Sequence, residues 1–301
     1  MKTCRKFLAG VVTIMALGMI GCQTDTPHEH TYSSEWKSDE TSHWHAATCE
    51  HTTEVSDKAA HTFDKGVVTK EATEKEEGER TYTCTVCNYQ RSVAVGDIIY
   101  TDGTTSSKDA ELTSGKTPVA VVAGFNTNGA ILGLGLKQSS SSLQWAPRDT
   151  TGFKTNFTEI IAYKTESGAG STATITGDTD GSDNWEYVKS IDPEGTANAE
   201  TNYPAFNFAA TYATTAGITG EIAEGWYMPS IAELCELYKN KDILNASLFK
   251  CSGTQFTESI YWSSSQYKNC NGYAWILVFS DGYLSYYDES YNNYVCCVRA
   301  F

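Results

Sequence analysis

The chain has six histidines, and none lies beyond His61. A Ser-His or Cys-His nucleophile pair therefore cannot be built within the long C-terminal part. Positive charge is scarce: 22 Lys and Arg stand against 37 Asp and Glu, for a formal net charge of -15. No basic patch is visible, so nucleic-acid binding has no electrostatic footprint. The acidic balance bears on solubility, not on fold. Beyond residue 20 no apolar run is long enough to span a bilayer. Gly133 and Gly135 are followed by no Lys-Ser/Thr and no helix start, which favours strand bulges over a phosphate loop.

What is present is a globular composition, with 40% hydrophobic and 12% aromatic residues over 301 positions. That is enough for one large domain or two unequal ones. Lys2, Arg5 and Lys6 precede an apolar run over 7–20, and Gly21-Cys22 follows. The run is short for a transmembrane helix and suits a signal peptide over 1–21. A small residue before Cys resembles a relaxed bacterial lipobox. That resemblance implies cleavage before Cys22, lipidation of its thiol, and an extracytoplasmic protein held to a membrane by lipid alone. Residues 22–27 read as a polar tether.

Residues 28–93 hold all six histidines (His28, His30, His43, His45, His51 and His61), together with Cys49 and the pair Cys84-Thr85-Val86-Cys87. A C-x-x-C knuckle puts two thiolates on one side of a tight turn, as tetrahedral zinc requires. The expected ligands are Cys84, Cys87, Cys49 and His61, with His43, His45 and His51 competing for those places. A Cys84–Cys87 disulfide, or Cys49 paired to either, is the alternative. A thioredoxin-like redox role fits poorly, because Thr81-Tyr82-Thr83 reads as a strand that does not enter a helix. The unit also resembles a short repeat of bacterial surface proteins, here His61-Thr62-Phe63 through Thr81-Tyr82-Thr83-Cys84-Thr85-Val86-Cys87, with His30-Thr31-Tyr32 opening a degenerate earlier copy. The resemblance implies a spacer. Zinc handling is a rival role for the same residues.

The second unit, 95–301, opens with strand patterns at 98–100, 118–123 and 129–136. The acidic stretch from Asp178 to Asp183 lacks the spacing of a calcium loop and reads as an Asx-type turn before Trp185. A helix begins at Tyr203-Pro204, with Ala205, Phe208, Ala209 and Tyr212 on one face. A second begins at Ser230, where Ser230 and Glu233 form a capping box and Ile231, Leu234, Cys235 and Tyr238 share a face. A loop and then short strands over 274–280, 283–287 and 294–298 complete the chain. The pattern is α+β.

Gly225-Trp226-Tyr227-Met228-Pro229-Ser230, Glu233-Leu234, Tyr261-Trp262-Ser263-Ser264, Ala274-Trp275, Phe279-Ser280-Asp281-Gly282 and Val298-Arg299-Ala300-Phe301 resemble C-type-lectin-fold domains of the formylglycine-generating-enzyme-like subclass. Among these the tail is most similar to variable proteins of diversity-generating retroelements, of the treponeme variable protein type. The resemblance implies a fixed frame with codons rewritten over about 261–301, and a small β-rich His/Cys module preceding a C-type-lectin-like domain. It marks as ligand-binding Tyr267, Asn269, Cys270, Asn271, Gly272, Tyr273, Ile276, Val278, Asp281, Tyr283, Ser285, Tyr286, Tyr287, Tyr291, Asn292 and Asn293. Tyr gives rigid amphipathic contact area, and Asn and Ser give adjustable hydrogen bonds. Strand alternation puts Ile276, Val278 and Ser280 opposite Trp275 and Leu277.

The expected function is binding of a protein or other surface ligand, without catalysis and with no cofactor beyond a structural zinc. A fixed-specificity adhesin is the alternative. An enzyme of the formylglycine-generating kind is disfavoured: Cys235 lies on a helix's buried face, Cys296 and Cys297 point to opposite faces, and Cys251 and Cys270, candidates for a disulfide, have no base beside them. The Glu-Pro-Asn, Gln-Pro-Asp and Trp-Asn-Asp motifs of sugar-binding lectins do not occur.

Overall fold

The computed structural model describes residues 29–301 except 52, 71–77, 127, 166–167 and 269–270. The signal peptide, Cys22, the tether and His28, like Asn269 and Cys270, lie outside the described residues. The secondary structure is α+β, with 36% strand and 20% helix.

Two small antiparallel sheets come first. One holds Tyr32–Ser38, Ser42–Ala47 and Val55–Ala60; the other holds Val67–Lys70, Glu79–Thr83 and Gln90–Ala94. The first sheet has no apolar core, since His43 is the one buried residue on its three strands. The second sheet packs Tyr82 and Val93 into the main core, and the Tyr82 hydroxyl donates to the Gly129 carbonyl at 2.7 Å.

Two five-stranded sheets and one short pairing, Leu143–Gln144 with Asn292–Asn293, supply the remaining strands. In one, the order is Cys296–Ala300, Ile131–Gln138, Pro118–Phe125, Ile98–Tyr100 and Thr105–Ser106. The last strand of the chain thus pairs with one of the first of its domain, Leu134 opposite Val298. The other sheet runs Ile175–Gly177, Ile161–Lys164, Ile260–Tyr267, Tyr273–Val278 and Leu284–Asp288. Its one parallel pairing sets Ile161 against Gln266.

Strand Tyr273–Val278 is covered on both faces. Ala274 and Ile276 join Trp262 in one core, and Trp275 and Leu277 join Tyr261 and Leu284 in another. Cys296 and Cys297 likewise fall in different cores, as alternation along a strand requires.

The helix at Tyr203-Pro204 spans Pro204–Ala210 and is interrupted before Tyr212–Ala216; it buries Phe206 with Ala205 and Ala209, leaving Phe208 half-buried. Phe206 meets Trp145 edge-on at 4.8 Å and stacks on Trp185 at 5.1 Å. Helix Ile231–Lys239 carries the expected capping box. Helices Asn184–Ile191 and Lys241–Lys250 stand where the sequence reads as turn or loop. Lys241–Lys250 buries only Leu244, Ser247 and Leu248, too few for a clear helical period.

Three consecutive buried serines tie these layers together. Ser263 Oγ donates to the Trp275 carbonyl at 2.9 Å, and Ser264 Oγ accepts from Asn184 Nδ2 at 2.8 Å. Ser265 Oγ donates to Asp178 at 3.1 Å and accepts the Ile231 amide at 3.0 Å. Ser265→Ala leaves a half-buried carboxylate and a buried amide short of a partner. The expected loss is about 1–3 kcal/mol of stability, read as a lower urea midpoint at unchanged m.

Candidate ligand-binding surface

The exposed end of the second five-stranded sheet carries an open groove of about 380 Å³. Pairing sets Trp275 opposite Tyr286 and Leu277 opposite Leu284, so these side chains share one face. The leucines continue inward to the core. Trp275, 5% exposed, forms the floor, its indole N–H donating to the Ala162 carbonyl at 3.0 Å. Tyr286, 40% exposed, stands at the rim. Its ring stacks on Tyr267 at 3.6 Å and 11°, and both rings stand edge-on to Trp275. Tyr283 and Ser285 complete this wall. The opposite wall is Tyr163, Lys164 and Lys268; the Lys268 ammonium lies 4.6 Å above the Tyr163 ring, and Lys164 donates to the Gly168 carbonyl.

A second cluster lies at the far end of strand Leu284–Asp288. Tyr287 and Tyr291 meet edge-on at 5.9 Å, and Asn292 is exposed beside them. The turn beneath is firmly held. Asp288 caps the Ser290 amide and receives Arg148 at 2.7 Å. Glu289 is buried and accepts from Gln266 Nε2 at 2.8 Å.

Of the residues expected to bind, Tyr267, Tyr283, Ser285 and Tyr286 converge on the groove. Tyr273 lies edge-on to Tyr286 at 5.9 Å, and Tyr287, Tyr291 and Asn292 form the second cluster. Asn271 and Asp281 are exposed in turns; Val278 is half-buried. Three residues do not reach the surface. Ile276 is wholly buried, because the strand is covered on both faces and not on one; the face opposite Trp275 is a second core. Asn293 is buried where it pairs with Leu143. Gly272, at φ +84°, packs against Lys154, and its carbonyl accepts the Glu289 amide. The sequence reading missed Tyr163, Lys164 and Lys268. Tyr163 and Lys164 reach the groove through the parallel pairing of Ile161–Lys164 with Ile260–Tyr267, which leaves no local signal; adjacency to Tyr267 could have pointed to Lys268.

The remaining motifs resolve plainly. The Asp178 and Asp180 carboxylates cap the amides of Asp180 and Ser182 in Asx turns, and Asp178 is also bonded by Asn184 and Ser265. Glu233 accepts from Tyr227, Ser230 and Gly181; burial lifts its carboxyl to about 7 despite those bonds. Burial also raises the thiols of Cys235 and Cys251, to about 12 and about 11.

In the small module, four donors come together: His43, His61, Cys84 and Cys87, all ligand atoms within 4.8 Å of one another. Cys49 is not among them. It follows the far end of strand Ser42–Ala47 from His43, and groups instead with His30 and His51, 3.4 Å from His30 Nδ1. Cys84 and Cys87 are free thiols. Burial opposes ionisation of Cys84, but amides of Cys87 and Val86 and the His61 ring outweigh it and bring its thiol to about 6.

The family model described as the Lcl C-terminal domain matches residues 137–299, more than half of the chain, and the chain belongs to this family. The match takes in the whole groove and the frame motifs from Gly225 through Arg299. No curated protein matches the chain. Among solved structures, a fimbrial protein from Bacteroides ovatus ATCC 8483 is similar at a TM-score of 0.48 and 16% identity, over 75% of this chain and 57% of that one. The match thus spans little more than half of that protein's length. Among the described residues no helix is long and apolar enough to cross a membrane.

Glu289 offers a test of the frame under the groove. Burial, with the Asp288 charge adding to it, pushes its carboxyl up to about 8, against the bonds from Gln266 and the Lys154 amide. The folded state therefore keeps a proton that the unfolded chain loses near pH 4.3. The group's stabilising contribution is complete below that pH and is lost as pH rises to about 8. Denaturant titrations of wild type and Glu289→Gln are expected to show a stability difference that shifts in the variant's favour from about pH 5 to about pH 8.

Proposed function

We propose that the chain is a surface-displayed binding protein that meets a protein ligand through the groove at Trp275 and the neighbouring Tyr287–Tyr291 cluster. The observation that carries this reading is the groove itself. Aromatic rings of a Tyr/Ser-rich tail converge on a rigid Trp floor, with two lysines on the facing wall of an otherwise acidic chain. Rigid tyrosines supply contact area at low entropic cost, and the lysines favour a partner that offers carboxylates. A C-type-lectin-like fold of the formylglycine-generating-enzyme-like subclass fits the closing of the last strand against Ile131–Gln138.

Family membership supports a binding role, and the exposed residues among those expected to vary support a surface diversified by a retroelement. Lipidation at Cys22 would tether the domain outside the cytoplasm, and no cofactor is required for binding. A binding role without catalysis accords with thiols at Cys235, Cys296 and Cys297 that are buried and pushed well above their ordinary range. A fixed-specificity adhesin of the same fold would use the same groove.

Sequencing the 3′ end of the gene and its flank across isolates separates these two. Diversification gives differences at Tyr267, Tyr273, Tyr283, Ser285, Tyr286, Tyr287, Tyr291 and Asn292, constant Ile276 and Asn293, and a template repeat with a reverse transcriptase nearby. An invariant tail without such neighbours leaves the fixed adhesin. A surface free to vary must also be nearly silent in stability. Tyr283→Ala and Tyr291→Ala should each change unfolding free energy by less than about 0.5 kcal/mol. Trp275→Ala should cost about 3–5 kcal/mol.

A further inference from the structure

We propose that His43, His61, Cys84 and Cys87 hold one zinc-class divalent cation, and that this ion stands in for the hydrophobic core that the first three-stranded sheet lacks. The inference is independent of what the groove binds.

The donor geometry is that of a closed site. His43 Nδ1 lies 3.9 Å from Cys84 Sγ, and His61 Nδ1 lies 3.4 Å from Cys87 Sγ. Tetrahedral zinc with Zn–S near 2.3 Å and Zn–N near 2.0–2.1 Å needs donor–donor edges of about 3.3–3.8 Å. His43 and Cys84 are buried, and His61 and Cys87 half-buried. Four protein donors fill all four tetrahedral positions and leave none for water or substrate, which defines a structural site and not a catalytic one.

The surroundings prepare the donors. His61 Nε2 lies 2.8 Å from the Asp39 carbonyl, which can only accept. The Nε2 proton is thereby fixed, and Nδ1 presents its lone pair to the site. The ring stacks on Tyr89 at 4.6 Å and 13°, while His43 stands edge-on to Trp36 at 4.7 Å. The Cys84–Cys87 turn closes through Asn88 at φ +60°, a conformation Asn tolerates, and the Asn88 amide donates to the Cys84 carbonyl at 3.0 Å.

The placement shows what the ion does. His43 comes from the first sheet and His61 from the segment after it, while Cys84 and Cys87 lie in the hairpin loop of the second, whose Tyr82 and Val93 enter the main core. His43 is also the one buried residue on the first sheet's strands. A sheet this small with no apolar face cannot hold itself together. Metal binding free energy then becomes folding free energy. The ion clasps the first sheet to the second, and through it to the ligand-binding domain.

The test is cobalt(II) titration of the metal-stripped full chain in a Cys49→Ser background, which disables the neighbouring His30–Cys49–His51 group. One cobalt per chain is expected, with tetrahedral d–d bands and sulfur-to-cobalt charge transfer, displaced by zinc. His43→Ala and Cys84→Ser should weaken binding by more than the about 10–100-fold that loss of an outer-shell partner costs. His43→Cys should keep the stoichiometry and add charge-transfer intensity, which separates a ligand from a merely structural residue. A chelator should expose residues 29–66 to protease while residues 137–299 stay resistant. Loss of the cobalt signal in Cys49→Ser, an unchanged spectrum in His43→Ala, a Cys84–Cys87 disulfide in chain isolated from the cell envelope, or protease resistance indifferent to chelator would each overturn the proposal.

Discussion

The bonds made by Ser263, Ser264 and Ser265 are the constraint on which the binding domain depends. A strand buried on both faces normally carries apolar side chains. Here three small hydroxyls sit at its centre, and each reaches a different layer: the Trp275 carbonyl, Asn184 at the start of its helix, and Asp178 together with the Ile231 amide. The Ile231 amide is one of the unpaired donors at the head of helix Ile231–Lys239, so the strand helps the capping box to satisfy that end. Buried polar groups tolerate few arrangements when every partner must be met. The network therefore fixes how helix, loop and sheet meet, and the apolar cores on either side fill the space so defined.

That frame leaves the Tyr-, Asn- and Ser-rich exposed residues of the tail largely outside the packing that holds the fold. Stability resides in inward-facing residues such as Trp262, Trp275, Leu277 and Leu284, whose partners are other frame residues. The outward residues Tyr283, Tyr286 and Tyr291 are exposed and contribute little to the core. Glu289 and Asp288 hold the turn beneath the Tyr287–Tyr291 cluster, so its position does not depend on the rim side chains.

Much of this organisation was legible in the sequence. Ser230 and Glu233 announce the helix cap, and the Asx spacing at Asp178 and Asp180 is local, so both follow from short-range rules. The strand at Trp275 was legible as well, but the fate of Ile276 was not. Alternation tells which residues share a face; it does not tell whether the opposite face meets water or a second core. Helix Asn184–Ile191 was hidden because its short amphipathic pattern is shared with a turn. Tyr163 reached the groove through a parallel pairing about a hundred residues away in sequence, a contact no local pattern encodes.

The same limit governed the donors proposed to hold a metal. Cys84 and Cys87 are separated by two residues in a C-x-x-C turn that carries its own geometry, and His61 follows from the His-Thr-aromatic opening of the repeat. The remaining donor depends on which end of strand Ser42–Ala47 faces the knuckle. Six residues of extended chain separate His43 from Cys49, about 20 Å, so only one of them can reach the site. The Thr41 carbonyl, which accepts the His61 amide at 3.1 Å, decides in favour of His43. That backbone hydrogen bond holds His43, and not Cys49, beside the other three donors, and its register is settled by the hairpin between Ser38 and Ser42 and not by the cysteines.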